Sequence, residues 1–306
     1  MECVNETLVR EFVFLGFSSL AGLQRLLFAA FLLVYLFTLG TNAIIISTIV
    51  LDRALHTPMY FFLTVLSCFE TCYTFVIIPK MLVDLLAQKK TISFLGCAMQ
   101  MFSFLFLGCS HSFLLAAMGY DRYVAICDPL RYTLLMGYGM CLGLVAAACA
   151  CGFTVSLVTT SLVFHLPFHS SNRLHHFFCD IKPLLELACG NTDLNEWLLH
   201  SVTGTIAMVP FSLTLLSYFY IIIYLFFKTH SCSMLHKALS TCASHFMVVV
   251  LFYAPVIFTY IRPASGSSMD QERIIAIMYS VVTPVLNPLI YTLRNKEVKG
   301  ALRRAM

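Results

Sequence analysis

The sequence predicts an all-α integral membrane protein, a seven-transmembrane helix bundle with a short amphipathic C-terminal helix. Of its 306 residues, 59% are hydrophobic and only 11% are charged, and the mean hydropathy of +0.86 is far above that of a soluble domain. Long runs without Asp, Glu, Lys or Arg recur along the chain, each with the roughly 20 residues that a spanning helix needs. A net charge of +4 without a basic, aromatic-rich stripe gives no reason to expect nucleic acid as a partner.

Seven spans account for most of the chain. Six are built on charge-free runs, and the remaining one, the second, lies between Arg53 and Lys80 and is interrupted only by Glu70. Residues 24–293 form the predicted bundle, between an N-terminal segment, 1–23, and a basic amphipathic tail, 294–306. The spans cover about 24–51, 57–86, 92–127, 138–165, 197–228, 237–261 and 272–293.

The orientation follows from charge and from one modification motif. An odd number of spans puts the two termini on opposite sides of the membrane. Ten of the 19 Lys and Arg residues fall on the membrane side that carries the C-terminus. The tripeptide at Asn5 is an N-glycosylation acceptor, which requires an extracellular N-terminus. We therefore expect a plasma-membrane protein with its C-terminus in the cytosol.

Asp121 and Arg122 stand where the third long apolar run ends, on the predicted cytosolic face. From spacing alone, two interpretations are open. The pair either marks the end of a helix at the membrane interface, or forms a latch that opens to admit a partner from the cytosol.

The 13 cysteines do not form a disulfide framework, because most lie within spans, where a thiol behaves as a small apolar side chain. Cys3, Cys97, Cys179 and Cys189 fall on the oxidising outer side. A bridge from Cys97 to Cys179 would tie the long outer loop over the bundle.

Four stretches, in order, resemble motifs of the olfactory receptors, rhodopsin-like seven-helix receptors coupled to G proteins. They are LHTPMYFFL at 55–63, MGYDRYVAIC at 118–127, KALSTCASH at 237–245 and PVLNPLIY at 284–291. Thr57 in the first motif resembles the larger, tetrapod-type class, which is associated with volatile ligands. The resemblance implies a receptor, not an enzyme, that needs no cofactor. Its expected partners are a small volatile odorant, the lipid bilayer and a heterotrimeric stimulatory G protein of the olfactory type, which raises cyclic AMP.

The same resemblance implies residues for activation and G-protein coupling. Tyr218 is expected to approach Arg122 when the sixth helix moves outward, and His245 to hold the resting state. The other interpretation of His245 is a histidine satisfied by a neighbouring hydroxyl group. Pro288 removes a backbone donor and is expected to bend the seventh helix. The full set is Asp121, Arg122, Tyr123, Tyr218, His245, Asn287, Pro288 and Tyr291.

The chain departs from the family pattern at a buried polar pair. Glu70 stands where the family usually has Asp, and His111 stands where it usually has a second acid. Ionisable groups at membrane depth are expensive and rarely idle. We expect an acid–imidazole hydrogen bond there rather than a sodium site.

The outer loop departs as well. His169 replaces one of three cysteines that the family commonly has, so Cys189 is either free or paired with Cys3. The stretch from His175 to Asp180 has the look of a zinc-ligand cluster, but a disulfide at Cys179 would remove its thiolate. No metal is expected.

The resemblance implies an odorant site between the outer halves of the third, fifth, sixth and seventh helices, closed by the outer loop. None of the helix positions is charged, so we expect a neutral ligand such as an alcohol, aldehyde, ketone or ester. Tyr260, Thr203 or Ser280 could supply one hydrogen bond. The expected residues are Met101, Phe104, Leu105, Gly108, Cys109, Ser112, Asp180, Ile181, Val202, Thr203, Ile206, Tyr253, Val256, Ile257, Tyr260, Ile277 and Ser280.

Two other function classes are less well supported. A transporter could use Glu70 and His111 as a proton relay, but the chain lacks paired broken helices in two matching halves. A membrane enzyme could use them as a base and its orienting group, but no nucleophile or metal-ligand set at catalytic spacing accompanies them.

Overall fold

The computed structural model describes residues 9–168, 172–188, 193–228, 232–260, 269–294 and 296–305. Seven long helical segments form the bundle, and an eighth helix follows them. The predicted fold class is confirmed. The helices are α1 (Gln24–Leu51), α2 (Pro58–Leu86), α3 (Phe94–Cys127), α4 (Tyr138–Phe164), α5 (Asp193–Lys228), α6 (Cys232–Tyr260), α7 (Met269–Ile277, Met278–Val282 and Thr283–Arg294) and α8 (Lys296–Ala305). Short helical turns occupy Ser18–Leu23, Arg53–Leu55, Tyr132–Leu135 and Ile181–Leu187.

Within the described ranges, six helices are long and apolar enough to cross a membrane, and the apolar part of α6, Cys242–Phe258, is shorter. The outside of the bundle is strongly apolar: Leu33 is 69% exposed and Phe226 is 80% exposed. Such a surface is stable against lipid, where each helix satisfies its own backbone hydrogen bonds.

A small three-stranded sheet covers one end of the bundle, and no pattern in the sequence predicts it. The strands are β1 (Glu11–Phe14), β2 (Thr91–Ser93) and β3 (Arg173–Leu174). The central strand, β1, runs antiparallel to β2 and parallel to β3. Because Thr91–Ser93 pairs with β1, α3 begins at Phe94 rather than near residue 92, and the Ser93 hydroxyl accepts a hydrogen bond from the Gly96 amide at 3.0 Å.

The sheet packs into one of the two main cores, which is called the outer core because it lies on the side predicted to face outward. Phe12 and Phe14 point inward and are almost fully buried. They pack with residues of α2, α3 and the loop helix Ile181–Leu187. A second core, at the opposite end, contains Tyr60, Leu115 and Tyr291. The N-terminal strand and two loops therefore form one packed cap over the outer core.

A disulfide joins Cys97 to Cys179, whose Cα atoms are 5.5 Å apart. The Gln100 side chain reinforces this connection. Its Oε1 accepts from the Cys179 amide at 3.0 Å, and its Nε2 donates to the Val76 carbonyl at 3.1 Å. The long loop is thus fixed to both α3 and α2.

Helix α7 departs from regular α geometry at the π-helical turn Met278–Val282, before Pro288. The Thr283 hydroxyl lies against this turn, 3.1 Å from the Met278 carbonyl and 3.2 Å from the Leu251 carbonyl of α6. Pro288 lies inside the segment Thr283–Arg294. The bend at Pro288 stays a prediction.

Candidate functional site

A cavity lies inside the bundle beneath the cap. Its empty volume, which includes solvent space at its mouth, is about 730 Å³. None of its lining residues is Asp, Glu, Lys, Arg or His, and five of them are aromatic. They are Tyr73, Phe104, Leu105, Gly108, Cys109, Ser112, Val155, Thr159, Ala207, Phe252, Tyr253, Val256 and Tyr279.

Seven residues expected from the sequence line this cavity. The five on α3 share one helix face, because positions three and four apart point the same way. The other two come from the middle of α6. These seven are Phe104, Leu105, Gly108, Cys109, Ser112, Tyr253 and Val256.

Other expected residues lie elsewhere. Met101 is one turn further out than Leu105, and there the disulfide-anchored loop fills the space. Ile181 and Ile277 also pack in the outer core, and Ile257 packs against the inner one. Ser280 is fully buried outside the cavity lining.

Asp180 acts in the cap rather than in the cavity wall. Its Oδ1 accepts from the Ile181 amide at 2.7 Å, and its Oδ2 accepts from the Tyr279 hydroxyl at 2.8 Å. The carboxylate therefore starts the loop helix Ile181–Leu187 and ties it to α7.

Several expected residues cannot be placed. The side chains of Val202, Thr203, Ile206 and Tyr260 lie outside the described part of the structure, as do Cys3, Asn5, His169 and Cys189.

The contributions of α2 and α4 to the cavity were not predicted from the sequence. Tyr73 comes from α2, and Val155 and Thr159 come from α4. The available signal was Gly152, because small residues in an apolar helix mark close helix contacts. A Cβ added at Gly152 would lie 2.3 Å from Ser110 Oγ of α3. Thr159 stands two turns further along, on the same face of α4.

A polar pair links α3 to α6 at the cavity wall. The Ser112 and Tyr253 hydroxyl oxygens are 2.6 Å apart, and the Tyr253 hydroxyl is also 3.3 Å from the Ser112 carbonyl oxygen. The arrangement that uses both protons has Ser112 donating to Tyr253 and Tyr253 donating to the carbonyl.

Three buried polar residues meet deeper in the bundle. Asn287 Nδ2 donates to Glu70 Oε1 at 2.5 Å, whereas His111 Nδ1 is 3.5 Å from the same oxygen. That separation is too long for the expected acid–imidazole hydrogen bond. The His111 ring stacks on Phe252, with ring centroids 4.5 Å apart. Asn287 therefore makes the hydrogen bond to Glu70 that was expected from His111. Phe252 lies between this group of three polar residues and the cavity.

At the opposite end of α3, Arg122 pairs with Asp121 at 2.7 Å. Asp121 is fully buried, and its second oxygen accepts from the Tyr132 hydroxyl at 2.8 Å. Burial and the nearby Asp121 carboxylate raise the pKa of Tyr132, so this tyrosine stays a donor. Sequence reasoning missed Tyr132. Tyr123 lies nearby, its ring centroid 6.1 Å from that of Tyr220.

Tyr218 and His245 contact each other rather than Arg122. The Tyr218 hydroxyl is 2.5 Å from His245 Nδ1 and 3.4 Å from the Cys242 carbonyl. Among the described residues, the buried Tyr291 hydroxyl has no hydrogen-bond partner. The two tyrosines are therefore not engaged with Arg122 in this conformation.

The outer histidine cluster does not assemble a metal site in the described ranges. Cys179 is held in the disulfide, and the His176 ring stacks on Phe177 at 4.8 Å. His176 Nδ1 is 3.4 Å from the Phe178 amide nitrogen. Burial lowers the pKa of His176.

Helix α8 docks against the turn between α1 and α2. Glu297 Oε2 accepts from the Tyr60 hydroxyl at 2.6 Å, and Arg304 pairs with Asp52 at 2.5 Å. The hydrogen bond from Arg304 lowers the pKa of the Asp52 carboxyl. Val298 is buried, so α8 turns its apolar face to the bundle.

The chain is similar to olfactory receptors along nearly its whole length. The family model described as olfactory receptor matches residues 31–306. The chain is 65% identical over 306 residues to olfactory receptor 10K1 of Homo sapiens, covering 100% of this chain and 97% of the relative. It is 64% identical over 302 residues to human olfactory receptor 10K2, covering 99% and 96%, and 60% identical over 303 residues to human olfactory receptor 12D1, covering 99% and 95%.

Proposed function

This chain belongs to the olfactory receptor family and is thus an odorant receptor of the G-protein-coupled class. We propose that its ligand is a small, neutral volatile compound, and that it acts through a stimulatory G protein of the olfactory type that raises cyclic AMP.

The uncharged cavity carries this proposal. Its lining is mostly aliphatic and aromatic with a few hydroxyl groups, which is the usual composition of a small-molecule site. An amine or a carboxylate bound there would lose its hydration without gaining an ionic partner, which costs several kcal/mol. A neutral molecule with an apolar body avoids that cost.

The contacts at the other end of the bundle support a resting conformation. Arg122 is held by Asp121, which is itself held by Tyr132, while Tyr218 is held by His245. Activation then means exchanging these partners so that a cleft opens for the G protein. A ligand produces this change only if it binds the open state more tightly.

Helix α6 offers a route between the two ends. Phe252 and Tyr253 line the cavity, and Phe252 stacks on His111 beside Glu70 and Asn287. We propose that a ligand pressing on these two rings moves α6 and disturbs the polar group next to α7. The outward motion of α6 would then free Arg122 and separate Tyr218 from His245.

We also propose that the receptor lies in the plasma membrane with the sheet and disulfide outside and Arg122 and α8 in the cytosol. A disulfide is stable on the oxidising side of a membrane, which supports this orientation. The basic residues of α8 suit the anionic inner leaflet.

The experiment measures cyclic AMP in cells that express the surface-tagged receptor. Neutral volatiles are compared with the carboxylic acid and the amine of the same carbon skeleton. We expect responses to neutral compounds only, and we expect Arg122→Ala to be silent at equal surface expression. Arg131→Ala, at an exposed basic residue nearby, is the matched control and should respond like the parent.

Responses confined to the acids or amines would contradict the neutral-ligand proposal. An odorant response that survives in cells lacking the stimulatory G protein would contradict the coupling.

A further inference from the structure

Thr159 supplies an unused hydroxyl group to the cavity. The residue is 1% exposed and lines the cavity, and its hydroxyl group takes part in none of the side-chain hydrogen bonds of the described residues. Buried hydroxyl groups are normally bonded, because a lost hydrogen bond to water is not otherwise replaced.

The neighbouring residues of α4 make the contrast clear. Thr154 donates to the Ala150 carbonyl at 2.9 Å and Ser156 donates to the Gly152 carbonyl at 2.7 Å, each bonding four residues back along the helix. Thr159 does not bond the Val155 carbonyl in this way. Its proton is therefore available to a molecule in the cavity.

The other hydroxyl groups of the cavity wall are less suited to bind a ligand. Ser112 and Tyr253 are bonded to each other, and Tyr279 donates to Asp180. Tyr73 is only half-buried and can bond water instead. Thr159 is thus the deeply buried donor left without a partner among the lining residues.

The rest of the wall favours a ring. Tyr73, Phe104 and Tyr279 form one aromatic group, with centroids 5.4 and 5.9 Å from that of Phe104. Phe252 and Tyr253 form another, 5.0 Å apart. Edge-to-face contacts with such rings add to the gain from apolar burial.

We propose that the ligand is an aromatic compound with one oxygen atom, and that Thr159 donates its hydrogen bond to that oxygen. Thr159 is then a specificity-determining residue, which selects ketones, aldehydes and ethers over hydrocarbons. This inference rests on the proposed function, since it presumes a neutral odorant in this cavity.

The test uses acetophenone, benzaldehyde and anisole, each with its ring-saturated analogue and with the hydrocarbon of matching size. Concentration–response curves are measured for the parent, Thr159→Val and Thr159→Ser at equal surface expression. We expect aromatic oxygenated members to be the most potent of each set. Thr159→Val should raise their half-maximal concentration about two- to tenfold, the usual effect of one neutral hydrogen bond, and should leave the response to any active hydrocarbon unchanged. Thr159→Ser, which keeps the hydroxyl, should retain most of the potency.

Thr160→Val is the matched control, because the Thr160 hydroxyl is buried, has no partner among the described residues and does not line the cavity. It should behave like the parent. Equal potency of the parent and Thr159→Val for the oxygenated probes would overturn the inference, as would activity restricted to non-aromatic neutral volatiles. In either case the receptor still answers neutral volatiles and the proposed function stands. If no neutral volatile of any kind acts, the proposed function itself fails.

Discussion

Replacing Gly152 by Ala should loosen the contact between α3 and α4 that positions one wall of the cavity. The added Cβ would lie 2.3 Å from Ser110 Oγ, 2.9 Å from the Phe106 carbonyl oxygen and 3.1 Å from the Ser110 amide nitrogen. The Ser110 hydroxyl can rotate away, but the two backbone atoms cannot.

The size of the effect follows from these distances. Ordinary contact begins at 3.4 Å, so the two backbones must separate by about 0.5 Å. Overpacking of this kind costs roughly 1–3 kcal/mol, partly offset by up to about 1 kcal/mol from the better helix propensity of Ala. Because Thr159 and Val155 lie on the same side of α4 as Gly152, the shift also moves them away from the centre of the cavity.

The assay is the thermal unfolding midpoint of the purified receptor, together with the odorant response in cells. Gly152→Ala should lower the midpoint by several degrees and weaken the response. Gly143→Ala is the matched control in the same helix, since a Cβ there meets no described residue within 4 Å, and it should be neutral or slightly stabilising. Adding Ser110→Ala to Gly152→Ala should recover only part of the loss. If Gly152→Ala and Gly143→Ala are equally stable, the close contact does not limit stability.

Three further predictions concern hydrogen bonds and pH. Tyr132→Phe removes the 2.8 Å bond to Asp121, worth about 1.5–3 kcal/mol as a bond to a charged group, and should raise ligand-free cyclic AMP. Tyr60→Phe removes the bond to Glu297 and should speed amide hydrogen exchange in α8, measured by mass spectrometry. Burial lowers the pKa of His176 in the folded protein, so its contribution to stability is complete above the unfolded pKa of about 6.5 and is lost as the pH falls below that value. The loss at pH 5.5 should be at most about 1.4 kcal/mol. Thermal unfolding at pH 7.5 and at pH 5.5 measures it.

Matched variants control each of these predictions. Tyr138 is 74% exposed, so Tyr138→Phe should change neither basal activity nor exchange in α8. His176→Phe should reduce the loss of stability at pH 5.5, whereas the same change at the exposed His175 should not. Unchanged basal activity in Tyr132→Phe, unchanged exchange in Tyr60→Phe, or identical pH profiles for both histidine variants would refute the respective reasoning.

The bundle could be predicted from the sequence because lipid imposes one simple constraint. A spanning segment must satisfy its backbone internally, so each span is a long apolar helix that composition alone identifies. The α3 side of the cavity could also be predicted from the sequence, since Phe104, Leu105 and Gly108 follow helical spacing. The pairing of Cys97 with Cys179 could be predicted because few cysteines fall outside the spans.

Contacts between segments that are distant in the chain could not be predicted from the sequence. The cap sheet joins strands of only four, three and two residues, too short for a periodic signal. Whether Glu70 bonds His111 or Asn287 depends on side-chain geometry and on the stacking of His111 against Phe252. The role proposed for Thr159 depends on how closely Gly152 lets α4 approach α3, and hydropathy carries no information about that distance.

The measurement that tests the central claim most directly is the odorant response of Gly108→Leu. Gly108 lines the cavity, and a Cβ there meets nothing within 4 Å in the described part of the chain, so a larger side chain occupies the space proposed for the ligand. Gly139→Leu, at an exposed glycine that also has free space around it, is the control. At equal surface expression and equal basal cyclic AMP, Gly108→Leu should lose the odorant response while Gly139→Leu keeps it. A parent-like response in Gly108→Leu would mean that the odorant binds outside this cavity.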